Sequence, residues 1–454
     1  MTQPALWAPR AWLPGGWHEQ VLLQAGSDGC WATVTPDSVA PPQAAILQGP
    51  VLPGLVDAHS HAFQRAFVGL AERLTGEQDD FWSWRDRMYG VALRITPEQL
   101  RAVATHLYGE LLRGGYTQVC EFHYLHHGPD GVPYANPLAM SLALAEAASD
   151  TGIGLTLLPV LYERAGFKQP QLREDQRRFA AGVDAVLRMR DAIRAWGLPR
   201  VEAGVAVHSL RAAAPASIRA LAAAVQGDAG PIHIHIAEQA AEVADCLAAT
   251  GMRPIEWLMS ELPVDARWQL VHATHATPQE IARTTRAGAG VVLCPSTEAN
   301  LGDGLCDLPG WLAAGVPLSL GSDSQVNRAW PEELRWLEYG QRLALRRRNV
   351  AADWPGAPST AARLFDTLLD GGRRAAGFAK WGLVPGARAD LLVVNTQDEA
   401  LLGLPDSHLL DGLVFATARQ PFARTMVAGR WVNEHCDPPA SSFEATMRAL
   451  WAQS

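Results

Sequence analysis

The sequence predicts an α/β fold: a (β/α)8 TIM barrel over residues 51–385, with a small β-sandwich built from both chain ends, residues 1–50 and 386–454. Three observations predict it. Between residue 50 and about 325, short apolar runs alternate with longer helical stretches, the rhythm of parallel strands joined by crossover helices. Nearly every run begins apolar and ends polar, as barrel strands do when their C-terminal ends carry the functional groups. The two flanks lack this rhythm and read instead as short strands joined by turns.

In chain order, residues 1–50 are rich in Trp, Pro and short apolar pieces. Eight runs follow: VLPGLVDAHSH (51–61), TQVCEFHY (117–124), IGLTLLPVLY (153–162), VEAGVAVHSL (201–210), PIHIHIAE (231–238), WQLVHATH (268–275), GVVLCPS (290–296) and PLSLGSDS (317–324). An open doubly wound sheet is the competing arrangement, but no GxGxxG follows the first run. After the eighth run, PEELRWLEYGQRLALRRRN (331–349) predicts an amphipathic helix that packs Leu334, Leu337, Leu343 and Leu345 on the barrel. Its Arg346 to Arg348 run reads as a solvated helix end beside the negative pole of the dipole. GARADLLVVN and ARTMVAGRWVNE, between 386 and 434, supply the C-terminal strands.

Composition narrows the function. A chain of 454 residues that is 48% hydrophobic can bury one large core and a smaller one. A formal charge of -9 argues against a nucleic-acid or anionic-membrane surface, which needs a concentrated basic face, and favours small-molecule chemistry. Cys30, Cys120, Cys246, Cys294, Cys306 and Cys436 are widely spaced without a CxxC pair, so they read as reduced core thiols. The N-terminus has no basic segment followed by an apolar one, and no window reaches the length of a membrane span. The expectation is a soluble cytoplasmic protein.

The chemistry-bearing residues sit at the polar ends. Asp57, His59 and His61 share one face of a strand, which in a barrel is the interior. Alone, a His-x-His is either half of a metal clamp or two satisfied polar groups. The fifth run offers His235 near the mouth, with His233 a layer deeper and structural; the sixth offers His272 and the eighth Asp323. Together they form a ligand set for zinc or another divalent first-row metal, with one position open to water. His123, His126 and His127 are adjacent, cannot easily converge on one ion, and read as loop polar groups.

This constellation, HSH on strand one, His on strands five and six, Asp on strand eight, resembles the amidohydrolase superfamily, whose accessory sandwich matches the flanks. In one branch a carbamylated lysine on strand four bridges two metals. Here strand four ends in VHSLR, and the only two lysines, Lys168 and Lys380, fall elsewhere. The resemblance therefore implies one divalent ion per chain, zinc by preference, held by His59, His61, His235 and Asp323. Glu238 completes the arrangement of the mononuclear deaminase-like members; otherwise it would be a surface residue opening the next helix.

Longer stretches, HSHAFQRAF, FWSWRDRMY, EFHYLHH, GIGLTLLPVLY, HSLRA, PIHIHIAEQ, LVHATHA, STEANLGDG and EELRWLEYGQR, resemble the N-formimino-L-glutamate deiminases (formimidoylglutamate deiminases) of histidine degradation. That resemblance implies substrate contacts at Gln64, Arg85, Tyr124, His208 and Arg211. The substrate carries two carboxylates and a cationic amidine, and arginine supplies the matching forks, so Arg85 and Arg211 suit it independently. Arg85 could instead pair with Asp80 or Asp86 on the surface. One departure stands out: Gln325 occupies a position where the family pattern has histidine. The implied reaction is hydrolysis at the formimino carbon, with His272, Asp323 and Glu238 sharing the proton transfers. The rivals are a mononuclear deaminase of a purine, pterin or triazine ring, for which two arginines would be superfluous, and an inactive binding homologue, which should have lost its ligands. A homodimer is expected by default.

Overall fold

The computed structural model describes residues 5–74, 81–417, 421–432 and 440–452. Eight parallel strands close into a barrel: Leu55–Ser60, Tyr116–His123, Gly154–Leu161, Val205–Ser209, Ile232–Ile236, Trp268–His272, Gly290–Leu293 and Leu318–Leu320, here called barrel strands one to eight. Strand four pairs with both strand three and strand five, and strand eight with strand one, which completes the ring. Each of the eight predicted runs falls on one of these strands, the second beginning one residue late, since strand two starts at Tyr116. The interior is buried throughout, so the ring is a packed core rather than a pore.

The seam between strands eight and one fixes the site. Only Leu320 and Asp57 pair there in regular register, so side chains and the strand ends complete the closure. Ser322 donates to the Asp57 carboxylate through its N–H (2.8 Å) and its hydroxyl (2.5 Å). Beyond it, Asp323 N–H donates to His59 O at 2.9 Å, and His61 N–H to Asp323 O at 3.2 Å. Gly321 is required by this approach: a Cβ there would stand 2.6 Å from His59 Cβ and 2.9 Å from Cys294 Sγ.

Helices wrap the barrel where the chain gives clear start and stop signals. Pro97–Arg113 begins with a capping box, Thr96 Oγ1 accepting from Gln99 N–H at 3.2 Å and Gln99 Oε1 from Thr96 N–H at 3.0 Å. Pro278–Ala287 repeats the device with Thr277 and Glu280, and ends at Gly288 in the left-handed region, φ 72°. Among the described residues no helix is long and apolar enough to cross a membrane.

Both chain ends join one further sheet. Its strands run in the order Arg430–Trp431, Phe422–Val427, Leu391–Val394, Val51–Leu52, Leu6–Leu13, Gly16–Ala25, Trp31–Thr35, with Ala45–Ile46 beside Leu6–Leu13. It encloses its own apolar cluster, including Leu23, Trp31, Val51, Leu391 and Met426. Arg388 ties it to the barrel: paired with Asp390 at 2.6 Å, it also donates to Thr117 O at 3.0 Å and Gln118 Oε1 at 2.7 Å.

Several details differ from the sequence expectation. The first run is divided: Val51–Leu52 pairs in the terminal sheet, with Leu6–Leu13 and Leu391–Val394, and the barrel strand starts at Leu55. Residues 386–454 also contain the helices Leu409–Phe415 and Ala440–Trp451, which pack on barrel helices rather than in the sheet. The amphipathic helix spans Trp330–Leu345 and buries Leu334 and Leu337, but Leu343 and Leu345 are exposed, because the last turn projects past the barrel. Arg346 to Arg348 are exposed, as expected of a solvated helix end. The five cysteines within the described residues are free; Cys436, like Asp80, lies outside them.

Candidate active site

The predicted donors converge at the C-terminal mouth of the barrel. His59 Nε2 lies 3.1 Å from His61 Nε2 and 2.9 Å from His235 Nε2, and Asp323 Oδ1 stands 3.5 Å and 3.4 Å from the first two nitrogens. All four residues are buried. Backbone carbonyls set two of the imidazoles: His61 Nδ1–H donates to Phe122 O and His235 Nδ1–H to His208 O, each at 3.0 Å. Both rings therefore present bare Nε2 lone pairs. The His59 Nε2 between them could donate to one at most, so at least one of these short N···N contacts has no hydrogen bond to hold it. A cation would relieve that crowding: His59, His61 and Asp323 form one compact triad of donors and His59, His235 and His272 another, sharing His59, and such donors suit a divalent first-row metal.

Burial reinforces this. It lowers His59 and His235 and drives His61 down to about 3, so none of the three competes for a proton near neutrality. Burial would raise Asp323, but its hydrogen bond to His59 and the surrounding imidazoles hold it well below the usual carboxylate range. It is an anion facing neutral nitrogen donors.

Above this cluster lie the groups able to move protons. His272 Nε2 is 3.8 Å from Glu238 Oε1 and 3.7 Å from Asp323 Oδ2. Burial works against its charge, but Glu238, Glu298 and Asp323 outweigh burial and hold it up at about 10. Burial pushes Glu238 up to about 7, with Asp323 and Glu242 adding to the rise and His272 and Arg211 opposing it. Glu238 is thus a buried cavity group, not a surface residue opening a helix.

The backbone aims these side chains by sharp turns at the strand ends. Ala237, His272, Ala273, Asp323 and Gln325 all have positive φ, between 48° and 71°, a conformation that costs a non-glycine residue energy and is tolerated where the surroundings enforce it. Gln325, found where histidine was expected, is fully buried and donates from Nε2 to Ser60 Oγ at 3.0 Å and Asp323 O at 2.8 Å. It braces the Asp323 turn.

The five predicted substrate contacts line one cavity together with His61, His235, Glu238, His272 and Asp323. Gln64 Nε2 donates to Tyr124 OH at 3.4 Å, and His208 Nδ1 lies 3.3 Å from Ser209 Oγ. Arg85 pairs with the exposed Asp86 at 3.1 Å, as its surface reading foresaw, while still facing the cavity. The Arg211 guanidinium has no carboxylate partner among the described residues. His123, His126 and His127 stay outside the cavity. They are not a solvated loop group: His123 ends strand two, His123 and His126 are buried, and His127 Nε2 bonds Ala180 O at 2.7 Å. His233 Nε2 bonds Ala375 O at 2.8 Å, the structural role expected of it.

Two supporting acids escaped the sequence reading. Glu298, in the helix Pro295–Leu301, faces His272 Nδ1 at 3.4 Å and accepts from Cys294 N–H at 2.9 Å. Glu242 accepts from Ala237 and Glu238 N–H at 3.3 and 3.0 Å, holding the turn that presents Glu238. Glu298 lies within STEANLGDG, but nothing in its local pattern ties it to a histidine 26 residues earlier.

Comparison with known proteins agrees with this geometry. Residues 51–432 match the amidohydrolase family. The chain is 48% identical over 433 residues to a formimidoylglutamate deiminase of Pseudomonas aeruginosa, covering 94% of each. It is 28% identical to an 8-oxoguanine deaminase of the same organism, over 84% of this chain and 81% of the other. The crystal structure of an amidohydrolase from Brucella melitensis superposes with a TM-score of 0.93 at 41% identity, covering 99% of this chain and all of the other. With its barrel, its ligand-bearing strand ends and matches along nearly its whole length, this chain belongs to the amidohydrolase family.

Proposed function

We propose that the protein hydrolyses N-formimino-L-glutamate to N-formyl-L-glutamate and ammonia, a step of histidine degradation. The observation that carries this reading is that two guanidiniums, Arg85 and Arg211, share one cavity with the histidine and aspartate cluster. A substrate with carboxylates at one end and an amidine at the other would span those two features. The 48% identical deiminase supports it over 94% of the chain.

The residues proposed to hold a single divalent ion, zinc by preference, are His59, His61, His235 and Asp323. When bound, such an ion supplies Lewis-acid polarisation of water at neutral pH. Arg85 and Arg211 bind the carboxylates, and Gln64, Tyr124 and His208 orient the formimino group beneath them. Asp323 is placed to take the proton from the attacking water, and His272, which its acidic neighbours hold protonated, faces it as a cation that steadies the oxygen left behind. Glu238, poised near neutrality, carries a proton to the departing nitrogen, so that ammonia leaves as a neutral molecule and the C–N bond breaks without a free amide anion. Phe81, Trp84 and Met88 add apolar surface to the lining of the same cavity. We extend the reading to a homodimer working in the cytoplasm.

The direct test is ammonia release. The purified protein should release ammonia from N-formimino-L-glutamate and leave guanine and other cyclic amidines unchanged. Turnover of a ring with none of the linear amidine would sink the assignment, and two equivalents of metal per active chain would contradict the single-ion site.

A further inference from the structure

Trp82 stands one turn before Arg85 on the helix Phe81–Ala92. Its ring lies 4.7 Å from the guanidinium carbon of Arg85 and 5.0 Å from that of Arg211. Two like charges are thus both set against one indole, and the two carbons can be no farther apart than those two distances together. Cation over indole is the most favourable of the ordinary cation–π pairs, so the ring attracts both groups while their mutual repulsion opposes their closing further. The indole is itself held, with Phe81 edge-on at 5.1 Å and 86°.

Beside the arginines lies a second pocket, open to solvent and lined by Trp82, Arg85, Arg211, Lys168, Gln169 and Asp245 among others. Both arginines border this outer pocket and the inner cavity; Trp82 lines only the outer one. The indole is therefore part of the backing against which the arginines rest.

We propose that Trp82 is the positioning residue that sets which dicarboxylate chain length the cavity accepts. By fixing the two guanidiniums relative to one another it fixes the carboxylate spacing they can match. By filling the space behind them it denies a longer chain the outer pocket. The inference rests on the proposed roles of Arg85 and Arg211, and it narrows that reading from a dicarboxylate to one of a particular length.

The experiment compares kcat and KM for the N-formimino derivatives of L-aspartate, L-glutamate and L-2-aminoadipate in the wild-type holoenzyme and in W82F, W82L and W82A. The wild type should prefer the glutamate compound, and W82F should keep the preference, since a ring face remains. W82L should raise KM for the glutamate compound about tenfold, the scale of two solvent-facing cation–π contacts together, with kcat within about threefold. W82A should show the same KM rise and also lose at least about tenfold of the preference for glutamate over 2-aminoadipate, because the outer pocket opens. Circular dichroism and metal content check folding, and W82L with W82F suffice if W82A misfolds. Wild-type turnover with unchanged KM in W82L, or unchanged length preference in folded W82A, would overturn the role of Trp82 and leave the substrate reading standing. No wild-type turnover of any of the three would overturn the substrate reading and this inference with it.

Discussion

At the scale of single residues, the site divides into groups whose roles follow from what they touch. Among the described residues Arg211 pairs with no carboxylate, so its replacement by Met should remove binding that substrate and transition state share equally. KM for N-formimino-L-glutamate should rise at least about tenfold while kcat changes little. An unchanged KM would remove Arg211 from the pocket. Glu298 acts through His272: it holds Nδ1 at 3.4 Å and raises the imidazole. Glu298→Gln keeps the shape but removes the charge, and should lower kcat by about 10- to 100-fold with bound metal unchanged, the scale seen when a partner behind a site histidine is lost. Full activity with metal retained would show that Glu298 only fills space. His59, His61 and His235 were legible in the sequence because strand alternation puts their side chains on a known face, and His272 and Asp323 because they stand at the polar ends of apolar runs. Glu298 was not, since a helix turn after another strand reaches His272 only in three dimensions.

At the scale of elements, buried carboxylates bolt strand ends to the helices behind them. Glu333, on the helix Trp330–Leu345, accepts from Ser296 N–H at 3.0 Å, Ser296 Oγ at 2.5 Å and Asn327 Nδ2 at 2.9 Å. Burial pushes it up to about 8 in spite of these donors. A carboxyl raised above its unfolded value of 4.5 binds its proton more tightly in the folded protein. Its contribution is complete below about 4.5 and is lost as pH rises through about 8. Denaturant midpoints should therefore fall less between pH 5 and pH 8.5 in Glu333→Gln than in the wild type. Parallel profiles would show that Glu333 is already ionised when folded. This helix also marks a limit of periodicity. Leu334 and Leu337 were read correctly as core, but Leu343 carries the same spacing and is 81% exposed, because the pattern cannot say where the surface it packs on ends.

At the scale of the whole molecule, the alternation of apolar runs announced the barrel, and the β-like flanks announced the terminal sheet. The division at residue 51 was harder to see, since Val51–Leu52 and Leu55–Ser60 form one apolar stretch that serves two sheets in succession. The ring that Leu55–Ser60 helps close holds three imidazoles, with the inner nitrogens of His61 and His235 each about 3 Å from that of His59. In folding terms this is a patch of frustration in a molecule whose other local preferences agree with the fold. The rest of the barrel must supply the free energy to keep those rings together, and an ion that binds only the folded arrangement returns it. Stability should then follow metal supply, rising about 1.4 kcal/mol for each tenfold increase in free metal above its dissociation constant. Chelation should lower Tm, and zinc should restore it in proportion to the logarithm of its concentration. A Tm indifferent to both would mean that the barrel carries the crowding unaided. If stability does follow the ion, the amount of this protein that stays folded in a cell reads out the local metal pool, and scarcity would thin the population of molecules before it slowed any one of them.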